Sequence, residues 1–261
     1  MRFGCCVPPD QVAVLAEAGF DFCELPTSAV RPFDTEAQAL PTMRELAALP
    51  LPIESFNVLV PARLPLLGPN ADLTALREYL RCAFRRMAQL GASIAVLGSG
   101  GARRIPDDMP RDQALDELAV SLQLAADEAS RANITLVLEH LNQGECNVFT
   151  SLAESYQFVV ERGLSGMYVL ADLHHLELEQ ESFDSVVAAG PLLRHVHVAD
   201  GGRRAPGMGG YDYAGFMESL HTIGYDARIS AECGWHNLAE QAAEALEFMR
   251  ISWAGGRERA R

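Results

Sequence analysis

The chain has 261 residues, of which 49% are hydrophobic and 21% are charged. This composition is that of an ordinary globular domain and excludes a disordered chain. The formal net charge of −14 argues against a nucleic-acid-binding surface, because such surfaces need clustered lysines and arginines.

The amino terminus lacks the long apolar stretch and the small-residue cleavage site of a signal peptide. No apolar run reaches the ~20 residues that a membrane-spanning helix needs. The six cysteines are scattered and include no CxxC pair, which favours reduced thiols. We therefore expect a cytoplasmic protein that binds neither nucleic acid nor a membrane.

Short, largely apolar runs alternate with helical patterns along the chain. Such runs are typical of parallel strands that are covered on both faces. The predicted strands are residues 2–7, 20–25, 53–58, 93–97, 134–139, 167–171, 193–198 and 228–232. The clearest helices are residues 73–90, 112–131, 152–162, 213–223 and 238–249. On the first of these helices, an apolar stripe predicts a solvated opposite side that carries Arg77, Arg81, Arg85 and Arg86.

Eight strand–helix repeats are compatible with a closed barrel or with a doubly wound open sheet. The Gly-rich nucleotide-binding turn of the open sheet is missing, because the first strand runs into Pro8-Pro9-Asp10. The glycine-rich segment 98–101 fits neither GxGxxG nor the P-loop pattern. The sequence therefore predicts a single (β/α)8 TIM barrel over residues 1–252. Residues 253–261 are expected to form a polar C-terminal tail that frays.

Four polar residues stand at the ends of the last four predicted strands. Glu139 closes the fifth strand, Asp172 the sixth and Glu232 the eighth, while His197 lies near the end of the seventh. In a barrel these strand ends form the rim that carries active sites. Taken singly, each residue could instead cap the helix that follows it. Taken together, three carboxylates would repel one another there unless a cation neutralised them.

With one imidazole added, this ligand set suits divalent ions that prefer oxygen and nitrogen. We expect one such ion, Mn²⁺ first, with Mg²⁺, Co²⁺ or Zn²⁺ as alternatives. All seven histidines lie at or after His140, so the earlier strands supply no imidazole for further metals.

Several motifs surround these positions: Leu138-Glu139-His140-Leu141-Asn142 followed by Glu145, Ala171-Asp172-Leu173-His174-His175, His195-Val196-His197 with Arg203, and Ala231-Glu232. In this order and spacing they resemble the xylose isomerase-like sugar isomerases and epimerases. That superfamily includes ketose 3-epimerases, hydroxypyruvate isomerases and, more distantly, the trinuclear-metal endonucleases of abasic-site repair. The resemblance runs over most of the chain.

The resemblance implies metal ligands at Glu139, Asp172, His197 and Glu232, and substrate contacts from Glu145, His175 and Arg203. In such enzymes the metal polarises a carbonyl and the adjacent hydroxyl, which acidifies a carbon-bound proton and stabilises an enediolate. Glu139 and Glu232 are the predicted catalytic pair. One removes the proton, and the other returns it to the opposite face in an epimerisation or to the neighbouring carbon in an isomerisation.

Some of these residues also have structural interpretations. Trp235, just past Glu232, is predicted to form an aromatic wall for the substrate, with loop packing as the alternative. His175 could instead support a ligand or begin a helix. Arg203 lies in a glycine-rich loop, where surface exposure is the alternative to anchoring a substrate oxygen.

Other polar residues are expected to lie outside the site. His195 is predicted to lie deeper in the barrel as a hydrogen-bonded core residue, because it shares a strand face with His197. His174 should point away from its neighbour in the sequence. Arg103 and Arg104 are expected in a solvated loop, and Glu24 in a peripheral position.

The leading interpretation is a divalent-metal-dependent isomerase or epimerase of a small sugar, sugar phosphate or hydroxy-keto compound, acting through a metal-stabilised enediolate. A non-catalytic binding barrel and metal-dependent lyase chemistry stay open. An endonuclease is disfavoured by the acidic charge and by the missing early histidines. The expected partner is a small carbohydrate or hydroxy-keto acid, and a homo-oligomer is an open alternative to a monomer.

Overall fold

Eight parallel strands form a closed barrel in the computed structural model, which describes residues 1–259. Each strand pairs with its successor in the sequence, and the last strand pairs with the first. The predicted single-domain (β/α)8 barrel is confirmed. The strands are β1 (Arg2–Cys6), β2 (Phe22–Pro26), β3 (Ile53–Asn57), β4 (Ile94–Leu97), β5 (Thr135–Glu139), β6 (Met167–Asp172), β7 (Leu193–Val198) and β8 (Arg228–Ala231).

Helices cover the outside of the barrel between these strands. Four of the five clearest predicted helices have the observed bounds to within one residue at each end. The helices are α1 (Val12–Ala18), α2 (Glu36–Ala47), α3 (Leu73–Gln89), α4 (Gly100–Arg103), α5 (Arg111–Arg131), α6 (Leu152–Glu161), α7 (Leu173–Leu178), α8 (Asp184–Ala189), α9 (Tyr213–Thr222) and α10 (Leu238–Arg259).

The last helix differs from the prediction of a polar tail. It continues to Arg259, so residues 253–259 are helical. Two contacts with α9 hold this extension: the ring of Trp253 lies 3.7 Å from that of His221, and Gly256 packs against Met217. The rest of the predicted tail, residues 260–261, lies outside the described residues.

Helix α3 shows a second departure from the sequence pattern. Its apolar stripe is buried from Leu76 to Met87, while Leu73 at the start of the helix is exposed. Arg77 and Arg81 pair with Glu128 on α5. Arg86 is fully buried, however, and was wrongly placed on the solvated side. Its guanidinium donates to backbone carbonyls of Val30, Arg31 and Asp34, because the loop after β2 leaves these groups without strand partners.

The barrel interior has an apolar part and a polar part. Side chains two residues apart on a strand lie on the same face of the sheet. A residue two positions before an inward-pointing rim residue therefore also points into the barrel. On β4, β5 and β6 these inward positions form a small apolar cluster of Ile94, Val96, Val137 and Leu170. On the other strands the inward positions include Glu24, Ser55, His195 and Ser230, all fully buried.

No helix among residues 1–259 has the length and apolarity needed to cross a bilayer. All six cysteines are free thiols.

Candidate active site

The four residues predicted at the rim come together. Glu139 and Asp172 end β5 and β6, His197 lies near the end of β7, and Glu232 directly follows β8. One ligand atom from each of the four lies within 4.8 Å of the others. Asp172 and His197 are direct register partners between β6 and β7. The strand register itself therefore assembles this group of side chains.

The group is buried except for Glu232, whose side chain is 17% exposed, and its two glutamates differ in proton affinity. Asp172 and His197 are fully buried, and Glu139 is 5% exposed. Burial and the charge of Glu232 raise the pKa of Glu139 to about 7. Burial alone would also raise the pKa of Glu232, but the charges of His197 and Arg203 lower it to about 2. Carboxyl groups whose pKa values are driven apart in one site are typical of acid–base pairs.

The donor atoms of this group fit a divalent cation. Asp172 Oδ1 accepts a hydrogen bond of 2.8 Å from the backbone N–H of His174 and so caps α7. Asp172 Oδ2 is buried and makes no hydrogen bond in the described chain, with His175 Nε2 nearby at 3.5 Å. His197 Nδ1 lies 3.0 Å from Glu139 Oε1 and 3.6 Å from Glu232 Oε2. A cation among three carboxylates and an imidazole would give the unpaired oxygen a partner and neutralise the charge.

A carboxylate from the far side of the barrel lies beneath this group. Glu24 Oε1 lies 2.9 Å from His197 Nε2, and Glu24 Oε2 lies 2.7 Å from His195 Nε2. Burial alone would raise the pKa of Glu24, but the two imidazoles hold it well below its usual range. His195 is thus buried and hydrogen-bonded, as the alternation in the HxH motif predicts. Glu24 has a more central position than the sequence suggested.

The three predicted substrate contacts lie beside the group in a connected chain. Arg203 donates to Glu145 Oε1 at 2.9 Å and to Glu232 Oε2 at 2.6 Å. The buried amide of Asn142 donates to Glu145 Oε1 at 2.8 Å and lies 3.0 Å from His175 Nδ1. Burial lowers the pKa of His175 to about 4, so its ring is neutral at pH 7.

The structure also brings in two asparagines that the sequence reasoning missed. Asn57 ends β3, and its Nδ2 donates to Glu232 Oε1 at 3.2 Å. Asn142 links Glu145 to His175 as described above. For Asn57, the available signal was a polar residue at a strand end, the same signal that identified Glu139.

The positions of Trp235 and His174 differ from the leading prediction for each. Trp235 is partly buried, packs against the main core, and is absent from the lining of the cavity described below. This position matches the loop-packing alternative, and its contact with substrate stays a prediction. His174 does not diverge from its neighbour His175: one ring nitrogen of each lies within 4.8 Å of the other and of a Glu145 oxygen. The Nδ1 atom of His174 is 3.3 Å from the hydroxyl of Tyr211.

A cavity of about 310 Å³ opens above Glu139 and Glu232, with Glu145 and Arg203 also in its lining. This volume lies at the lower end of the range for small-molecule pockets. The segment after β4 forms part of the wall, and there Gly98 lies against Glu139. A Cβ atom at Gly98 would overlap with Glu139 Oε2, so the glycine leaves room for the carboxylate.

Arg103, expected in a solvated loop, is fully buried behind this wall. Its Nη1 donates to the backbone carbonyls of Leu97 at 3.2 Å and Glu139 at 2.7 Å. These carbonyls lie at the ends of β4 and β5, where hydrogen bonding between the strands stops. The guanidinium supplies the hydrogen-bond donors that they would otherwise lack. Arg104 is exposed, as expected, and donates to the carbonyl of Glu145.

A family model described as a xylose isomerase-like TIM barrel matches residues 12–252. The chain belongs to this family. The matched range contains β2 to β8 and therefore all four residues of the group at the rim.

Curated relatives of the chain are epimerases. It is 27% identical over 281 residues to a D-psicose 3-epimerase of Agrobacterium fabrum, with 92% of each chain covered. It is 30% identical over 150 residues to a 3-dehydro-D-guloside 4-epimerase of Escherichia coli, which covers 55% of this chain and 54% of that one. The chain is an enzyme of the isomerase and epimerase class.

Solved structures show the same fold. A D-psicose 3-epimerase crystallised in the presence of D-fructose superposes with a TM-score of 0.83 at 21% identity, covering 98% of this chain and all of the other.

Proposed function

We propose that this enzyme is a divalent-metal-dependent 3-epimerase of a small ketose. The observation that carries the proposal is the pair Glu139 and Glu232, a buried and a partly buried carboxylate that line one cavity at the rim of the barrel. The full-length similarity to a D-psicose 3-epimerase supports the substrate class.

The metal would be held by Glu139, Asp172, His197 and Glu232, and Mn²⁺ is the ion we expect. When bound, it would polarise the ketose carbonyl and the neighbouring hydroxyl, and so acidify the proton on the carbon between them. Three carboxylates and one imidazole support an ion that prefers oxygen over sulfur ligands.

Glu139 and Glu232 would move that proton. Arg203 donates a hydrogen bond to Glu232 Oε2, which favours the ionised carboxylate, so Glu232 can accept the proton from one face of the substrate carbon. Glu139, which lines the same cavity as Glu232, can return a proton to the other face. For the opposite epimer the two roles exchange, as microscopic reversibility requires.

The neighbouring polar residues would orient the sugar. Arg203 is a fixed donor at the mouth, and Glu145 is an acceptor whose side chain is 43% exposed. The neutral ring of His175 has its Nε2 atom 3.5 Å from Asp172 Oδ2, beside the proposed metal site, and a contact between this ring and the sugar stays a prediction. Holding hydroxyls at both ends of the reacting carbon fixes the face that each glutamate meets.

Solvent exchange tests this proposal. The protein is stripped of metal, reloaded with Mn²⁺, and incubated in D₂O with D-fructose, D-psicose, D-tagatose and L-ribulose. We expect NMR to show deuterium at carbon 3 together with the 3-epimer for at least one of these ketoses. Absence of deuterium at that carbon across the panel, from protein that binds Mn²⁺, would contradict the proposal.

A further inference from the structure

Glu24 is a fully buried carboxylate that neither contacts the cavity nor belongs to the four proposed ligands. We propose that Glu24 is a positioning residue for metal binding. It would hold His197 in the tautomer whose Nε2 carries the proton, so that the unprotonated Nδ1 would be available to a metal held with Glu139 and Glu232. This inference rests on the metal site of the proposed function but not on its sugar substrate.

Both oxygens of Glu24 are already occupied by donors. Oε1 faces Nε2 of His197 at 2.9 Å. Oε2 faces Nε2 of His195 at 2.7 Å and accepts from the hydroxyls of Ser55 at 2.7 Å and Ser230 at 2.8 Å. An ionised carboxylate has about four acceptor positions, so these four donors satisfy it.

The occupied carboxylate determines where the proton on His197 lies. An ionised carboxylate only accepts hydrogen bonds, so Nε2 of His197 must be the donor in this pair. Cys6 Sγ is the other group near that nitrogen, but at 4.0 Å it is much farther away. In the neutral ring Nδ1 is then an unprotonated atom, and it is this atom that faces Glu139 and Glu232.

The network also fixes the orientation of the ring across the barrel. Glu24 lies on β2, His195 and His197 on β7, Ser55 on β3 and Ser230 on β8. β2 and β7 are not neighbours in the sheet, so the carboxylate reaches across the barrel interior to meet the imidazoles. A hydrogen bond from the distal ring nitrogen to a carboxylate raises the basicity of a histidine ligand and holds its ring plane.

The variant Glu24→Gln tests this role, because it keeps the size and an acceptor oxygen while removing the charge. We expect its Kd for Mn²⁺, measured by calorimetry without sugar, to rise about ten- to hundredfold. Ser55→Ala is the matched control, since it removes one bond to the same carboxylate without altering the partner of His197. An effect of Glu24→Gln no larger than that of Ser55→Ala would overturn the proposal.

A measurement on the wild-type protein tests the tautomer even if the variant does not fold. With ¹⁵N-labelled histidine, the Mg²⁺-loaded protein should show His197 protonated at Nε2 and unprotonated at Nδ1. The reverse pattern, or a proton on both nitrogens, would contradict the proposal. Protein that binds Mn²⁺ with the expected Glu24 dependence but exchanges no ketose proton would refute the proposed function and leave this inference standing.

Discussion

Charged side chains are paired differently at the two ends of the barrel. At the amino ends of the strands, Glu54 forms ion pairs with Arg2 and Arg228, so a carboxylate on β3 is matched by guanidinium groups from β1 and β8. At the carboxyl ends, Glu139, Asp172 and Glu232 converge with one guanidinium, that of Arg203, paired to Glu232.

The difference separates charged residues that stabilise the fold from charged residues that can take part in chemistry. At the amino end the carboxylate of Glu54 has two guanidinium partners from the chain itself. The carboxyl end has an excess of negative charge in a buried place, which is costly unless a cation or protons are taken up. In this fold the carboxyl end carries chemistry and the amino end contributes stability.

The largest expected effect comes from replacing a carboxylate at the carboxyl end. Glu139→Gln or Glu232→Gln should lower kcat for epimerisation about a thousandfold, because each removes a group that transfers the proton. The rate is measured with the Mn²⁺-loaded variants on the best ketose of the panel. A loss of less than tenfold would show that the glutamate concerned does not carry the proton.

Crowding the same carboxylate without removing it should have a smaller effect. Gly98→Ala places a methyl group against Glu139 Oε2, and a displacement of this kind should reduce kcat about ten- to hundredfold. Gly210→Ala is the control, since no atom lies within 4 Å of its added Cβ. Equal kcat values for the two alanine variants would contradict the close packing of Gly98 on the carboxylate.

The excess charge should also make the metal-free protein sensitive to pH. Glu139 has a pKa of about 7 in the folded chain against a usual 4.5, so it prefers the folded state when protonated. Its stabilising contribution is complete below pH 4.5 and is lost as the pH rises through 7. The raised pKa of His197, caused by nearby Glu24 against the opposing effect of burial, acts in the same direction.

We therefore expect the Tm of the metal-free protein to fall between pH 6 and pH 8, and Mn²⁺ to reverse the fall. At 100 times its Kd, the ion should add about 2.7 kcal/mol to the free energy of unfolding. Calorimetry at several pH values measures both effects. A metal-free Tm that rises over this interval, or is unmoved by Mn²⁺, would contradict the charge excess.

The smallest effect is expected at the amino end. Glu54→Gln should lower the free energy of unfolding by about 1 kcal/mol, because its arginine partners stay partly exposed to water. The value of kcat should be unchanged, as measured by denaturant unfolding and ketose epimerisation on the same preparation. A large loss of kcat would show that the two ends are not independent.

The sequence was sufficient for the fold and for the rim because both depend on short-range patterns. Apolar runs indicate where the strands lie, and helix caps indicate where the helices between them begin and end. A polar residue at the carboxyl end of a strand then lies at the rim of the barrel, independently of the residues around it. Glu139 and Asp172 were therefore predictable one at a time.

Contacts across the barrel could not be predicted in this way. The bond between Glu24 and His197 joins residues 173 positions apart on strands that are not neighbours. Similarly, Arg86 and Arg103 are buried because loop carbonyls need donors, and that need is visible only once the loops are folded. The extension of α10 past residue 252 depends on Trp253 meeting α9.

Hydrogen–deuterium exchange at carbon 3, measured separately for each 3-epimer, tests most directly whether one glutamate acts on each face of the substrate. Glu139→Gln and Glu232→Gln, each loaded with Mn²⁺, are incubated in D₂O with one 3-epimer and then with the other. We predict that each variant still incorporates deuterium at carbon 3 of one epimer, and that the two variants accept opposite epimers. Loss of exchange from both epimers in both metal-loaded variants, or preference of both for the same epimer, would contradict a glutamate on each face of the substrate.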